Sequence, residues 1–372
     1  MYNLIFLFLF IASFFNISRA YNDIDSLLVQ LNSAEDRLKI EIFWEISSLY
    51  DHNNTDSSLY YALKGLEIAQ NLKDPILLSQ AYRIVGVSYD MSGVYFKALE
   101  SYNLSMDYFK KSEEKDNLIE LAHIIHDKGM IYQELREYDK AKNLMHNALG
   151  IYMDLNDSTE LLTSNFAIGS LCWEIEEYDS ALIYLETASQ IAEIYYPEDF
   201  DLLCMINSEI IQSCYYISDL ERAEKEFEKL NDEKRTSTYS LFSTAYMQFN
   251  KGLILALKEN YAESLNQLSG VLNMSDSIGL SEEGINILIE MVDIAEKSED
   301  FEKAFNYSEE LLKREREWLD IQKVAYTKAR EIEFETREKE DLILDQEAEI
   351  TSKNLIILSQ YFLFLFINFC IL

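Results

Sequence analysis

Apolar side chains in this chain fall three and four residues apart, the spacing that gathers them on one face of a helix. The first such run is Leu27, Leu28, Leu31, Leu38, Ile42, Phe43, Ile46 and Leu49, which predicts an entry helix or two over residues 21–50. The most regular stretch is Ile84 to Met106, where Gly86, Tyr89, Gly93, Tyr95, Ala98, Tyr102 and Ser105 follow one another at intervals of two to four residues. It predicts two helices broken at Met91-Ser92-Gly93. Gly86, Ala98 and Ser105 sit where one helix lets another approach closely, and Tyr89, Tyr95 and Tyr102 fill the gaps those small residues leave.

The spacing recurs. Gly129, Tyr132, Tyr138, Ala141 and Ala148 repeat it, and so do Gly169, Tyr178, Ala181 and Ala188. More degenerate copies carry Ala223 and Phe227, then Gly252, Tyr261 and Ser264, then Phe301, Ala304 and Leu311, while Ala62 and Ala69 stand ahead of them all. Small residues of the second helices therefore fall at positions 62, 98, 141, 181, 223, 264 and 304, a period of about 40 residues. This arrangement resembles the tetratricopeptide repeat, a helix–turn–helix unit of about 34 residues that cannot bury its apolar face alone and so stacks. The resemblance implies an all-α solenoid of about seven helical hairpins over residues 21–312. Polar breaks such as NLKDP, KKSEEKDN, NDST, YYPED and NDEKRTST are too short for interdomain linkers, so the solenoid is expected to be continuous.

Composition agrees: two prolines and ten glycines in 372 residues leave little punctuation for sheets and turns. A formal charge of −34 argues against nucleic acid and anionic membrane surfaces as partners, because both demand a basic patch. The acidity reads as a solvated convex face.

The two ends add expectations of another kind. Residues 1–20, MYNLIFLFLFIASFFNISRA, read as a signal peptide cut after Ala20. No Lys or Arg precedes the apolar core, so an uncleaved anchor is the other reading. Asn354 to Leu372 carries no charge and, at ~1.5 Å per residue, reaches roughly 28 Å, about one hydrocarbon thickness. It predicts a single transmembrane helix, and the protein is then expected to be membrane-anchored with its repeats extracytoplasmic (periplasmic). Of four cysteines, Cys370 lies in that segment, and Cys172 and Cys214 take equivalent first-helix positions in neighbouring repeats. Cys204 stands too far along its helix from Cys214 to pair with it. The two readings are core thiols and, in an oxidising compartment, a Cys172–Cys214 cross-link.

Residues 313–353 are highly charged and contain no helix breaker. Ala325, Ala329, Ile332, Thr336, Ile343 and Ile350 form a partial heptad that Lys339 and Gln346 interrupt. One reading is a long helix that pairs weakly with its twin, giving a homodimer through residues 313–372; the other is a lone solvated helix. The order of signal, repeats, charged helix and single span resembles the extracytoplasmic sensor region of bacterial tetratricopeptide-containing histidine kinases and helix-turn-helix regulators. That resemblance implies an output stage. No phosphoacceptor His, nucleotide-binding box or recognition helix is present, so the output is expected to have been lost, to sit on another chain, or to be missing from a truncated product.

No phosphate-binding GxxxxGK[ST], no GxGxxG opening a helix, no GxSxG, no HExxH and no paired CxxC occurs. No enzymatic activity and no cofactor are expected. His123 and His126 stand three apart on one helix face and can offer two metal ligands, yet no third is evident, and lining a groove is the better reading. In the tetratricopeptide family the first helix of each unit lines the concave face, with fixed positions pointing into it. Carried onto this chain, those positions include Gln80 and Arg83, then His123, His126 and Gln133, then Phe166 and Trp173, then Gln212, Tyr215 and Tyr216. A lining rich in aromatics and amides suits an extended peptide or a helix, although Phe166 and Trp173 read equally well as residues buried between layers. The expected function is non-enzymatic binding of a protein or peptide, as the sensor part of a signalling or transcription-regulating system. The alternative is a scaffold or assembly factor for secreted or envelope proteins.

Overall fold

A computed structural model of the chain describes residues 24, 26–31, 33–50, 54–111, 118–230, 240–277 and 281–320. After a short helical run at 26–31, the described residues form α1 (Asp36–Tyr50), α2 (Thr55–Leu72), α3 (Pro75–Met91), α4 (Tyr95–Lys111), α5 (Leu118–Glu134), α6 (Tyr138–Leu155) and α7 (Ser158–Glu174). They continue as α8 (Tyr178–Tyr195), α9 (Phe200–Tyr216), α10 (Leu220–Leu230), α11 (Leu241–Leu257), α12 (Tyr261–Ser277) and α13 (Ser281–Lys297), with a further helix, α14, at 301–320. Consecutive helices from α1 to α13 pack on one another, and several odd-numbered neighbours also touch, as α1 does α3, α3 does α5, α7 does α9 and α9 does α11. These are the neighbour relations of stacked hairpins.

The hairpin turns share one backbone solution. Gly93, Arg136, Glu176, Ser218, Glu259 and Glu299 all adopt the left-handed conformation, with φ between 57° and 70°. The residue after each turns its N–H back to a carbonyl five positions earlier: Val94 to Tyr89, Glu137 to Tyr132 and Glu177 to Cys172 at 2.8 Å, Asp219 to Cys214 and Asn260 to Leu255 at 2.9 Å, Asp300 to Ala295 at 3.0 Å. This closure satisfies the carbonyls that a helix end leaves open. Several first helices start on a side-chain cap instead. Asp74, Asp157, Asp199 and Ser240 accept from backbone N–H groups of α3, α7, α9 and α11, and Pro75 opens α3.

The expected register of small residues is present. Ala98, Ala141, Ala181, Ala223, Ser264 and Ala304 each lie five positions past a left-handed turn residue, and all are buried. A second row sits opposite. A Cβ on Gly86 would come 2.5 Å from the Tyr102 ring, one on Gly129 2.9 Å from Met145, one on Gly169 2.7 Å from Leu185, and one on Gly252 2.6 Å from Leu268. Each first-helix glycine thus accepts the side chain sixteen residues later on the second helix. The first hairpin departs from this register. Its second helix starts at Thr55 on an Asn54 side-chain cap, so Ser58 takes the fourth helical position and Ala62 is buried one turn further on.

Three other expectations change. The membrane-anchored, extracytoplasmic placement is corrected: among the described residues no helix is long and apolar enough to cross a membrane. The segments behind that placement, 1–20 and 354–372, lie outside the described residues, as do the heptad positions from Ala325 to Ile350. Cys172, Cys204 and Cys214 are buried free thiols, so the Cys172–Cys214 cross-link is not formed. Burial pushes Cys172 and Cys214 up to about 11 and about 12, which keeps them as unreactive thiols. Finally, the helix that enters residue 312 continues without a break to Asp320.

Candidate ligand-binding face

The first helices α3, α5, α7 and α9 bring the ten expected residues into one row, but at two depths. Gln80, Arg83, His123, Trp173 and Tyr216 remain partly accessible. His126, Gln133, Phe166, Gln212 and Tyr215 are buried. Phe166 belongs to the apolar core between layers, which resolves its double reading against a groove-lining role. Trp173 is half-buried and packs edge-on against Tyr216, with ring centroids 6.0 Å apart.

At the α3 end the row is charged. Arg83 Nη1 donates to Asp127 Oδ2 at 3.1 Å, and Arg83 Nε lies 3.3 Å from Glu120 Oε1. The two carboxylates raise the Arg83 pKa against the opposing effect of its burial. His123 Nε2 sits 3.3 Å from Glu160 Oε1, an arrangement that lowers the Glu160 pKa. The Tyr152 ring approaches both histidines, 5.9 Å from His123 and 6.5 Å from His126. Burial lowers the His126 pKa, so its imidazole is neutral near pH 7. Among the described residues no group of three or more His, Cys, Asp or Glu side chains is placed to hold a metal ion.

Towards α9 the row becomes aromatic and hydrogen-bonded. Gln133 Nε2 and the Tyr138 hydroxyl donate to the two oxygens of Glu174, at 2.8 and 3.0 Å. The Tyr178 ring stacks on Tyr216 with centroids 4.9 Å apart. Tyr216 donates to Glu290 at 2.9 Å and Tyr215 to Asp293 at 2.6 Å, both across to α13. Lys297 lies over the Tyr215 ring, 4.1 Å from its centroid, and 2.8 Å from Asp293. The α9 and α13 helices are thereby linked by side chains across two hairpins, past α11.

A row of polar residues, buried except for half-buried Asp127, went unseen in the sequence. Two positions before the packing glycine of each first helix, or before the residue that replaces it, stand Asp127, Glu209, Asn250 and Glu290. Each accepts from an earlier first helix: Asp127 from Arg83, Glu209 from Ser170 at 2.6 Å, Asn250 from Ser208 at 2.8 Å, and Glu290 from Tyr216. Burial raises Glu209 to about 8 and Glu290 to about 7, so Glu209 is largely an uncharged acid at neutral pH. The available signal was register: a carboxyl or amide recurring at one repeat position, where Ile84 and Ala167 stand in the other hairpins. In a chain of such acidity, individual acids carried no information.

A tetratricopeptide-repeat family model matches residues 120–194. Response regulator aspartate phosphatase I of Bacillus subtilis (strain 168) is 28% identical over 167 residues, which are 44% of this chain and 42% of that protein. The chain thus matches less than half the length of that relative. Among solved structures, a Rap protein complexed with Competence and Sporulation Factor superposes with a TM-score of 0.60 at 13% identity, over 81% of each chain. The apo form of the quorum sensor NprR from B. thuringiensis does so with a TM-score of 0.59 at 15% identity, over 83% of this chain and 86% of that one. Such identities speak for the fold alone. The described residues form an all-α solenoid of stacked helical hairpins, and residues 120–194 within it match the tetratricopeptide repeat.

Proposed function

We propose that this protein is a peptide- or protein-binding regulator, gripping its ligand along the first-helix row and performing no chemistry on it. The observation that carries the reading is the accessible set Gln80, Arg83, His123, Trp173 and Tyr216, presented by four consecutive first helices on a rigid scaffold. Flat aromatic rings beside charged and amide groups suit a peptide, whose backbone needs polar partners and whose side chains need stiff apolar contacts. The similar Rap and NprR structures, named for a bound factor and for quorum sensing, support a signalling role, with this chain as the ligand-reading part.

Selection from a displayed random-peptide library tests this. Enriched peptides should bind the wild type and lose about 2 kcal/mol, roughly thirtyfold in affinity, on Trp173→Ala, with helix content unchanged. Undiminished binding to that variant would move the site off this face. The Bacillus relative's name raises a phosphatase reading; turnover of an acyl-phosphate model compound by the pure chain would favour it over simple binding.

A further inference from the structure

In a solenoid, each second helix is covered on its outer side by the next hairpin. Here the apolar residues six and thirteen positions past the left-handed turn lie mostly under that cover, while Lys142 and Glu224 at the same place stay half-exposed. Leu182 is 0% exposed, Leu265 4% and Leu149 8%. On α14 the same two positions are Phe305 and Leu312, exposed by 62% and 51%. Phe301 and Leu319, 69% and 55% exposed, extend the line at both ends. At 100° per residue these four side chains fall within about 40° of one another, a straight apolar stripe along the helix. An end helix that faced water would carry polar residues there.

Among the described residues no further helix follows α14 to cover the stripe. The second helices α4, α6, α8 and α12 end 18 or 19 positions past their left-handed residues, at Lys111, Leu155, Tyr195 and Ser277. Measured from Glu299, α14 is still helical at Asp320, 21 positions on. The helix is thus unbroken two or three positions past the length at which those second helices end.

We infer that this end face docks on a second copy of the same chain, through α14 packed antiparallel to its twin about a two-fold axis at Leu312. The stripe is symmetric about that residue, with Phe305 seven positions before it and Leu319 seven after. An antiparallel twin therefore sets Leu312 against Leu312 and each Phe305 against the other copy's Leu319. The flank is complementary as well. Exposed Glu309 and Arg316 lie on the same side of the stripe, so the two-fold brings the Glu309 of each copy near the Arg316 of the other. Opposite charges there offset the repulsion expected between two strongly acidic chains. This pairing differs from a parallel heptad through residues 313–372, and it is independent of what the first-helix row binds.

Disulfide trapping on the full-length chain tests it, in a Cys370→Ser background whose other cysteines are buried. Leu312→Cys should oxidise to a covalent dimer, and a mixture of Phe305→Cys and Leu319→Cys chains should give the mixed dimer. Phe96→Cys, 77% exposed on α4, should stay monomeric. Leu312→Glu should shift the unlinked protein from dimer to monomer in sedimentation, with its circular dichroism unchanged. Efficient trapping by Phe305→Cys alone would mean a parallel pair and overturn the geometry. Failure of Leu312→Cys to trap, or a Leu312→Glu variant that sediments as the wild type does, would overturn the self-docking.

Discussion

Glycine separates two roles in this chain, and the contrast can be measured. At Gly86 an added methyl would meet the Tyr102 ring at 2.5 Å, whereas at Gly150 it would meet nothing within 4 Å. Gly86→Ala is expected to destabilise by about 1–3 kcal/mol through overpacking. Gly150→Ala, on the exposed side of α6, should stabilise by roughly 0.5–1 kcal/mol through backbone entropy and helix propensity. Thermal unfolding of both variants checks the register, and equal shifts would count against it. Glu209 provides a second test. Its pKa is raised from 4.5 to about 8, so the folded state holds a proton that the unfolded state releases. That contribution is complete below about pH 4.5, falls away as pH rises and is gone above about pH 8. The melting temperature should decline across that window, and Glu209→Gln should flatten the decline. Small residues were readable from sequence because spacing alone reveals them. Glu209, Asn250 and Glu290 were not, because a polar residue's burial depends on which hairpin lies over it.

Helices in this fold gain their positions from turns and from side chains that reach between layers. The left-handed turns show how little sequence signature the backbone requires: Gly93 is the one glycine among six such residues, the others being Arg, Glu and Ser. A search for glycine would have found one hairpin, while the period of small residues, five alanines and Ser264, located six. The first hairpin escaped this register because Asn54 starts α2 early. Between layers, Arg83 of α3 is held by Glu120 and Asp127 of α5. Arg83→Met leaves those carboxylates without their cation, and breaking a largely buried group of this kind costs about 3–5 kcal/mol. Urea unfolding should show that loss; a change below about 1 kcal/mol would mean that the group behaves as a surface pair. Half of the expected ligand row proved to be buried for the same reason. Phe166, Gln133 and Tyr215 point into a neighbouring layer, whose distance no single-repeat count can supply.

The described residues form a stack that presents one face of first helices and carries an exposed apolar stripe on α14. The period of about 40 residues announced the stack in the sequence. The expected placement at a membrane came from two terminal segments outside the described residues, where apolar length stood in for structure. The central claim is that ligand is gripped along α3, α5, α7 and α9. Hydroxyl-radical footprinting of the chain, with and without a selected peptide, reads it side chain by side chain. Protection of His123, Trp173 and Tyr216, with Phe96 and Tyr195 on second helices oxidised as before, is the expected result. Protection of Phe96 or Tyr195, with His123, Trp173 and Tyr216 unchanged, would contradict it.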